Sequence, residues 1–469
     1  MSEVDALFGV LRQSTGEDVV AAIEQAIREA PDRSLCRINV LDFAKQYALD
    51  EERAIAGFLH ASRLGLFEMS WNVLCPGCNG VLNSNATLKT VQQVEYNCSL
   101  CAAGYEPTLD EMVEVTFTVS RRVRKIAAHE PDELPLEEYF RQVFWGSGFD
   151  VTDTDLANTM REVMLDSIEL QPGEKASLSL QLPANFVIVM EPVTHATHFL
   201  DVQGEPTRER QNLSIIYNTV VAPTGTTVVA PGPLRLSFEN RTKRRVLPSV
   251  WVAGDELHRL LGGRKPFLTA KRLLTNQTFR DIFHTDTLEI DQRLKILSMT
   301  FLFTDLKGST ALYERVGDLV AYDLVREHFK ALYEIVASET GAVVKTIGDA
   351  VMATFPTPDR GLAAALRMRS AMQTLNEQRG SDDLLLKIGL HEGPCLVVTL
   401  NEQQDYFGQT VNVAARVQGL TDSQAIFASS SIVEDPRATA LLANRGLTAR
   451  PQRRSIRGMN EEIAVYEIP

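Results

Sequence analysis

Four cysteines fall into two pairs, Cys75-Pro-Gly-Cys78 and Cys98-Ser-Leu-Cys101, separated by nineteen residues. Two residues between thiolates make a tight turn, eased here by Gly77, that aims both sulfurs at one ion, and two such turns complete a tetrahedron with Zn–S distances of about 2.3 Å. Four sulfurs leave no position for water, so the expectation is a structural Zn2+ standing in for a core too small to hold alone. Redox thiols or an iron centre are the competing uses of the same spacing. Far downstream, Asp305 closes the apolar run Phe301-Leu302-Phe303-Thr304 and is followed by Leu306, Lys307, Gly308, Ser309 and Thr310. That order hands a carboxylate to a strand end, while Gly308, Ser309 and Thr310 open a helix whose backbone N–H groups suit an anion. Asp349 follows Lys345-Thr-Ile-Gly at the tip of an expected hairpin. Either aspartate alone reads as a solvated turn residue. Meeting near a helix N-terminus, the two suit a pair of divalent ions, Mg2+ or Mn2+, on a nucleoside triphosphate. In Asn412-Val-Ala-Ala-Arg416 the four-residue spacing puts both polar side chains on one helix face.

The elements that must position these residues follow from hydrophobic period. Residues 1–70 show helical spacing, as at Leu7, Val10 and Leu11 and at Val19, Ala22 and Ile23, and the cluster from Asn39 onward suggests a helix-turn-helix or winged-helix unit. Residues 71–108 hold the zinc-ribbon candidate, and 109–165 form a connecting α/β segment with a basic spot at Arg121, Arg122, Arg124 and Lys125, read as a solvated face. Over 166–262, runs such as ASLSLQL, NFVIVMEPV and PLRLSFEN, broken by Pro, Gly and Asn, indicate a β-sandwich-like regulatory domain. Residues 263–296 read as a helical linker or transducer. From 297 to 469 a strand, a long helix, the hairpin AVVKTIGDAVMATF, a second helix and further strands indicate an α+β, ferredoxin-like βαββαβ core.

Composition narrows the function classes. The chain has 469 residues, 44% of them hydrophobic and 23% charged, which excludes a largely disordered chain and indicates a multidomain protein. No run of 18 apolar residues occurs and the start MSEVDALFGV carries acid before any base, so neither a membrane span nor a secretory signal is expected. A net charge of -14 disfavours nucleic acid as a partner, and residues 1–70 hold 7 Lys and Arg against 12 Asp and Glu. Paired cysteines without a disulfide framework point to the cytoplasm. Cys36 and Cys395 read as small buried hydrophobes, and His195 and His198, in HATH, lack a third ligand beside them.

Residues 297–469 resemble a class III nucleotidyl cyclase catalytic domain, matching in order FTDLKGST, VKTIGDAVMATF and DYFGQTVNVAARV. The resemblance implies that Asp305 and Asp349 hold two metals with help from the Leu306 carbonyl, that Lys345 and Asp405 read the base, that Asn412 orients the ribose and that Arg416 meets the transition-state phosphate. Arg457 falls where the family usually has a lysine for the terminal phosphates. Lys307 departs from the family pattern, which often has an acid there. In this family the metal carboxylates and the base-reading residues of one site come from two subunits, so a chain with both sets implies a homodimer with two equivalent sites. The preceding region resembles uncharacterised N-terminal halves found ahead of bacterial cyclase domains, and there the resemblance carries no function.

The base follows from hydrogen-bond polarity. Adenine presents an acceptor at N1 and a donor at its 6-amino group, matching an ammonium at 345 and a carboxylate at 405, whereas guanine inverts both. The expectation is an adenylate cyclase that turns ATP into 3′,5′-cyclic AMP and pyrophosphate, under control of an N-terminal half whose own ligand or protein partner the sequence does not name. A guanylate cyclase, and a sensor or scaffold with a non-catalytic nucleotide-binding module, are the competing readings.

Overall fold

A computed structural model describes residues 3–91, 95–150, 153–218, 225–283, 293–380, 383–400, 403–421, 425–454 and 462–469. The chain divides into two compact units, Met1–Pro107 with Glu111–Leu268, and Thr108–Asp110 with Thr269–Pro469.

The first unit begins with four helices, Glu3–Ser14, Glu17–Glu29, Val40–Gln46 and Glu51–Arg63. The last two start where a side chain accepts from an otherwise unpaired amide: Asn39 from Leu41 N at 3.1 Å and Asp50 from Arg53 N at 3.0 Å. Val19, Val20 and Ile23 from one helix and Ile55, Phe58 and Leu59 from another are fully buried, each worth about 1.5–3 kcal/mol of burial. Strand Phe67–Leu74 then pairs antiparallel with Val81–Asn85 on one side and Val113–Val119 on the other. Further along, a three-stranded sheet with Gly232–Asn240 at its centre and a five-stranded sheet with Val187–Glu191 at its centre share one core that includes Leu178, Leu180, Leu200, Leu236 and Phe238. The alternating burial of Lys175–Leu182 is the period-two pattern of a strand with one face in that core.

The second unit is built on one eight-stranded sheet. Its central strand, Leu294–Leu306, runs antiparallel to Ala350–Phe355 on one side and to Leu386–Leu400 on the other. The hairpin Ala342–Ile347 and Ala350–Phe355 forms as the sequence suggests. The four core strands therefore lie in the order second, third, first, fourth of the chain, with helices Asp318–Ser338 and Pro358–Arg379 contributing Leu332, Val336, Leu362 and Met368 to the core behind them. Beyond Leu386–Leu400 the sheet continues through Ile426–Ser429, Ile463–Ile468 and Arg450–Arg454, and Gln403–Phe407 pairs with the far end of Leu386–Leu400. Residues 269–283, expected as linker, fold with this unit as helices Ala270–Leu274 and Gln277–Ile282. Among the described residues no helix is long and apolar enough to cross a membrane.

Candidate functional site

The central strand and the hairpin are neighbours, so their ends carry Asp305 and Asp349 to one place. Gly348 at the hairpin tip has φ +64°, a left-handed conformation that glycine adopts without the Cβ clash other residues meet. The turn it permits brings the Asp349 carboxylate to the Leu306 amide, which donates to Oδ2 at 3.3 Å. Asp305 is pushed above the usual carboxylate range by burial and then by the negative charge of Asp349, with Lys387 and a hydrogen bond from Gln418 pulling the other way. Lys387 stands directly across from Asp305 in the strand register. Two carboxylates brought to one strand end form a hard-oxygen set that fits Mg2+ or Mn2+.

Helix Ser309–Val316 starts immediately after Gly308, whose φ is +74°. Its first residues, Ser309 and Thr310, are thus within the turn that follows Asp305 and Leu306, although the Thr310 side chain lies outside the described residues, as does all of Arg457. Lys307 is exposed. His328, fully buried, is pushed down to about 4 by burial and is neutral at physiological pH, adding no charge behind the carboxylates.

A second constellation lies on the same unit. Lys345 Nζ donates to Asp405 Oδ2 at 2.5 Å, with the lysine side chain 41% exposed and the aspartate side chain 10% exposed. The other Asp405 oxygen accepts from the Tyr406 amide at 2.8 Å, so the carboxylate is oriented from both sides. Asn412 and Arg416 lie on helix Gln409–Gly419 and are both exposed, whereas Val413, Ala414 and Val417 are buried. Among the described residues no salt bridge joins Arg416 to Asp305 or Asp349. The unit thus carries two polar groupings, the carboxylates Asp305 and Asp349, and the Lys345–Asp405 pair with the exposed Asn412 and Arg416.

In the first unit the four sulfurs of Cys75, Cys78, Cys98 and Cys101 all lie within 4.8 Å of one another. Cys75 and Cys101 are 3.6 Å apart at sulfur, as are Cys78 and Cys98. A tetrahedron with 2.3 Å metal–sulfur bonds has edges of about 3.8 Å, so the cluster has the dimensions of a metal site. A Cβ at Gly77 would stand 2.8 Å from the Cys101 sulfur, which is why the turn of the first pair requires glycine. His195 and His198 do not join the cluster: His195 is packed on Phe144 at 5.3 Å and His198 shares a hydrogen bond with Thr227 at 2.8 Å. Cys36 and Cys395 are free thiols, pushed upward by burial.

Sequence reasoning missed Lys387, which faces Asp305, and Arg280, whose guanidinium reaches the backbone beside both Lys345 and Asp405. Strand alternation around Lys387 gave no sign of its partner, and Arg280 sits in a stretch that reads only as a helical linker or transducer.

Residues 1–281 match a family of unknown function, DUF5939, and residues 293–454 match the adenylate and guanylate cyclase catalytic domain. An adenylate cyclase of Anabaena cylindrica is 27% identical over 185 residues, covering 36% of this chain and 36% of the relative. Adenylate cyclase 2 of Rhizobium meliloti is 29% identical over 182 residues, covering 36% of this chain and 49% of the relative. The chain therefore spans between about a third and a half of these two relatives' length. Among solved structures, the adenylyl cyclase CyaB of P. aeruginosa aligns with 19% identity and a TM-score of 0.33, covering 38% of this chain and 96% of that one. By the extent of the first match and the ordered motifs within the second, the chain belongs to the DUF5939 family and carries, over residues 293–454, a class III adenylate and guanylate cyclase catalytic domain.

Proposed function

We propose that the chain is an adenylate cyclase, active as a homodimer through its C-terminal unit, that converts ATP into 3′,5′-cyclic AMP and pyrophosphate. The observation that carries this reading is the Lys345–Asp405 pair, a half-exposed donor and a buried acceptor held 2.5 Å apart in a cyclase domain. Adenine N1 can accept from the ammonium and the 6-amino group can donate to the carboxylate, while guanine would leave both charges facing groups of their own polarity, at about 1–3 kcal/mol for each unmet group. The order of the four core strands supports a ferredoxin-like βαββαβ core.

Asp305, Asp349 and the Leu306 carbonyl would hold two Mg2+ or Mn2+ ions, which supply Lewis acidity to the ribose 3′-hydroxyl and to the triphosphate. Gly308, Ser309 and Thr310 offer helix N-terminal amides to phosphate oxygens, and Arg457 serves the terminal phosphates. Asn412 orients the ribose so that the 3′-oxygen attacks the α-phosphorus in line with the departing pyrophosphate. Arg416 neutralises charge that grows on the phosphoryl oxygens only as the new bond forms, so its contribution is to turnover more than to binding. No covalent intermediate is required. With the carboxylate pair of one subunit facing the base-and-ribose set of its partner, each dimer has two equivalent sites. The exposed apolar side chains of Ile347 and Phe407, beside the base-reading residues, support such an interface. The cysteine cluster holds a structural Zn2+, the N-terminal half regulates through a ligand or protein of its own, and the protein works in the cytoplasm.

Purified protein given ATP or GTP with Mg2+ or Mn2+, and analysed for cyclic product, tests the reading. Cyclic AMP should form from ATP at least about tenfold faster than cyclic GMP from GTP, the scale of one unmet polar contact. A preference for GTP, or turnover with neither nucleotide, overturns it.

A further inference from the structure

The strands that carry Lys345 and Asp405 are not neighbours in the sheet. Ala342–Ile347 pairs with Ala350–Phe355 at one edge, and Gln403–Phe407 pairs with Leu386–Leu400. The strand ladder therefore relates them only through three intervening strands, with no direct ladder bond between the two. The first of these strands also carries a β-bulge: Val343 pairs with Ala353 and Lys345 with Met352, so Val344 is the extra residue. A bulge re-aims the side chain that follows it and leaves the extra residue's backbone outside the ladder. The burial pattern records this, since Val343 and Val344 are both buried in succession and Lys345 turns outward.

Helix Gln277–Ile282 supplies what the ladder lacks. It starts at Asn276, whose side chain accepts from Phe279 N at 3.0 Å, and it buries Phe279. From this helix Arg280 Nη2 donates to the carbonyl of Val344 at 3.3 Å and to the carbonyl of Gln404 at 3.0 Å. These are the residues immediately before Lys345 and Asp405. One turn earlier, Gln277 Oε1 accepts from the Val343 amide at 2.8 Å, holding the other side of the bulge. On the second strand, Tyr406 donates to the Leu274 carbonyl at 3.3 Å. A guanidinium is planar and rigid, so one nitrogen bound to two carbonyls fixes their spacing in a way a flexible ammonium cannot.

We propose that Arg280 is a positioning residue for base recognition: by tying the Val344 bulge to Gln404 it sets the separation of Lys345 and Asp405 at which the two match adenine. This rests on the reading of Lys345 and Asp405 as the base-reading pair. It also gives the segment before the cyclase motifs a place in nucleotide selection, because the arginine that spaces the reader lies outside those motifs.

The test uses the full-length chain with Arg280→Ala, Arg280→Lys and Lys345→Ala, measuring kcat and KM for ATP and for GTP alongside a thermal melt. Misplacement of a contact group by a fraction of an ångström to 1 Å costs up to about 100-fold, and Arg280→Ala should lower kcat/KM for ATP by about tenfold, mainly through KM. GTP use should fall less, so the ATP-to-GTP ratio drops. A role confined to stability would lower both nucleotides together and leave the ratio where it was. Arg280→Lys keeps the charge but reaches one carbonyl, so it should lower the ratio by a smaller factor, and it carries the test if the alanine variant does not fold. If Lys345→Ala shifts the ratio while neither folded Arg280 variant does, the positioning role is wrong. If Lys345→Ala itself leaves the ratio unchanged, the base-reading assignment fails and the inference falls with it.

Discussion

The cysteine cluster of one unit and the carboxylate pair of the other are both places where a tight turn forces acidic groups together, and they differ in what is left for solvent. Cys75, Cys78 and Cys98 are 1%, 1% and 4% exposed, and their sulfurs with that of Cys101 all lie within 4.8 Å of one another, close enough to surround one ion. A metal held there has no free position and can contribute only folding free energy. Asp305 and Asp349 are half-buried, supply two carboxylates, and stand beside a helix start. Hard ions held by so few ligands keep positions for water or phosphate. Softness, ligand count and burial thus suit the first cluster to an ion that would hold the chain together and the second to ions that would exchange their contents, although both are read from short spacings in the sequence.

The largest expected effect lies on the open site. Asp349→Ala and Arg416→Ala should each lower turnover by about 100-fold or more, the scale of removing one group that stabilises developing charge, and neither should lower the melting temperature, since neither side chain lies in the core. Mixing the two variants under conditions of proven subunit exchange should restore activity to roughly a quarter of wild type: about half the dimers are mixed, and each mixed dimer has one intact site of two. A mixture as inactive as its components would show that the carboxylates and the arginine do not act across an interface.

The closed site should respond in the opposite sense. Cys75→Ser with Cys98→Ser should lose one bound zinc per chain by elemental analysis and lower the melting temperature of the N-terminal unit. Brief EDTA treatment of the wild type should stop turnover reversibly with zinc retained, because a fully coordinated ion leaves only as the surrounding fold opens. Protein that contains no zinc, or a double variant as stable as wild type, would remove the structural-metal reading.

What could be read in advance follows the same division. The Cys-x-x-Cys pairs are legible because two-residue spacing acts within one turn. Asp305 is legible because it follows an apolar run at a strand end and Asp349 because it lies at the tip of an expected hairpin, and the strand, helix and hairpin rhythm after residue 297 announces a mixed α/β unit. Lys345 and Asp405 are different: nothing in their local spacing pairs residues sixty positions apart, and only the resemblance of three ordered motifs did so. Arg280 and Lys387 escaped even that. Their partners are set by where a helix docks and by the register of a long strand, neither of which short-range periodicity encodes. The extra residue at Val344 has a local trace, two buried valines in succession where alternation demands one, but a continuous apolar pair reads equally well as a strand buried on both faces.

The smallest expected effect is the most specific to the electrostatics of the open site. Asp305 has its pKa raised in the folded state by burial and by the charge of Asp349. A carboxyl with a raised folded pKa binds more protons folded than unfolded in the interval between the two values. Stability then falls as pH rises through that interval, and the full cost stands at neutral pH. In metal-free protein, Asp305→Asn removes the ionisation while keeping an acceptor for Gln418, so it should raise the melting temperature of the cyclase unit by about a few degrees near pH 7.5. The advantage should shrink as pH is lowered and vanish only well below 3.8, the unfolded-state value, where Asp305 is protonated in both states. Saturating Mn2+ should stabilise wild type more than the variant, since an ion that binds only the folded state stabilises it by mass action and relieves the same repulsion. Thermal melts of both proteins across pH, with chelator and with Mn2+, give the answer. If the asparagine variant melts lower than wild type at pH 7.5 in chelator, the ionised Asp305 is stabilised by its surroundings, and the carboxylate pair is not the strained, cation-seeking site that distinguishes this unit from the closed thiolate cluster.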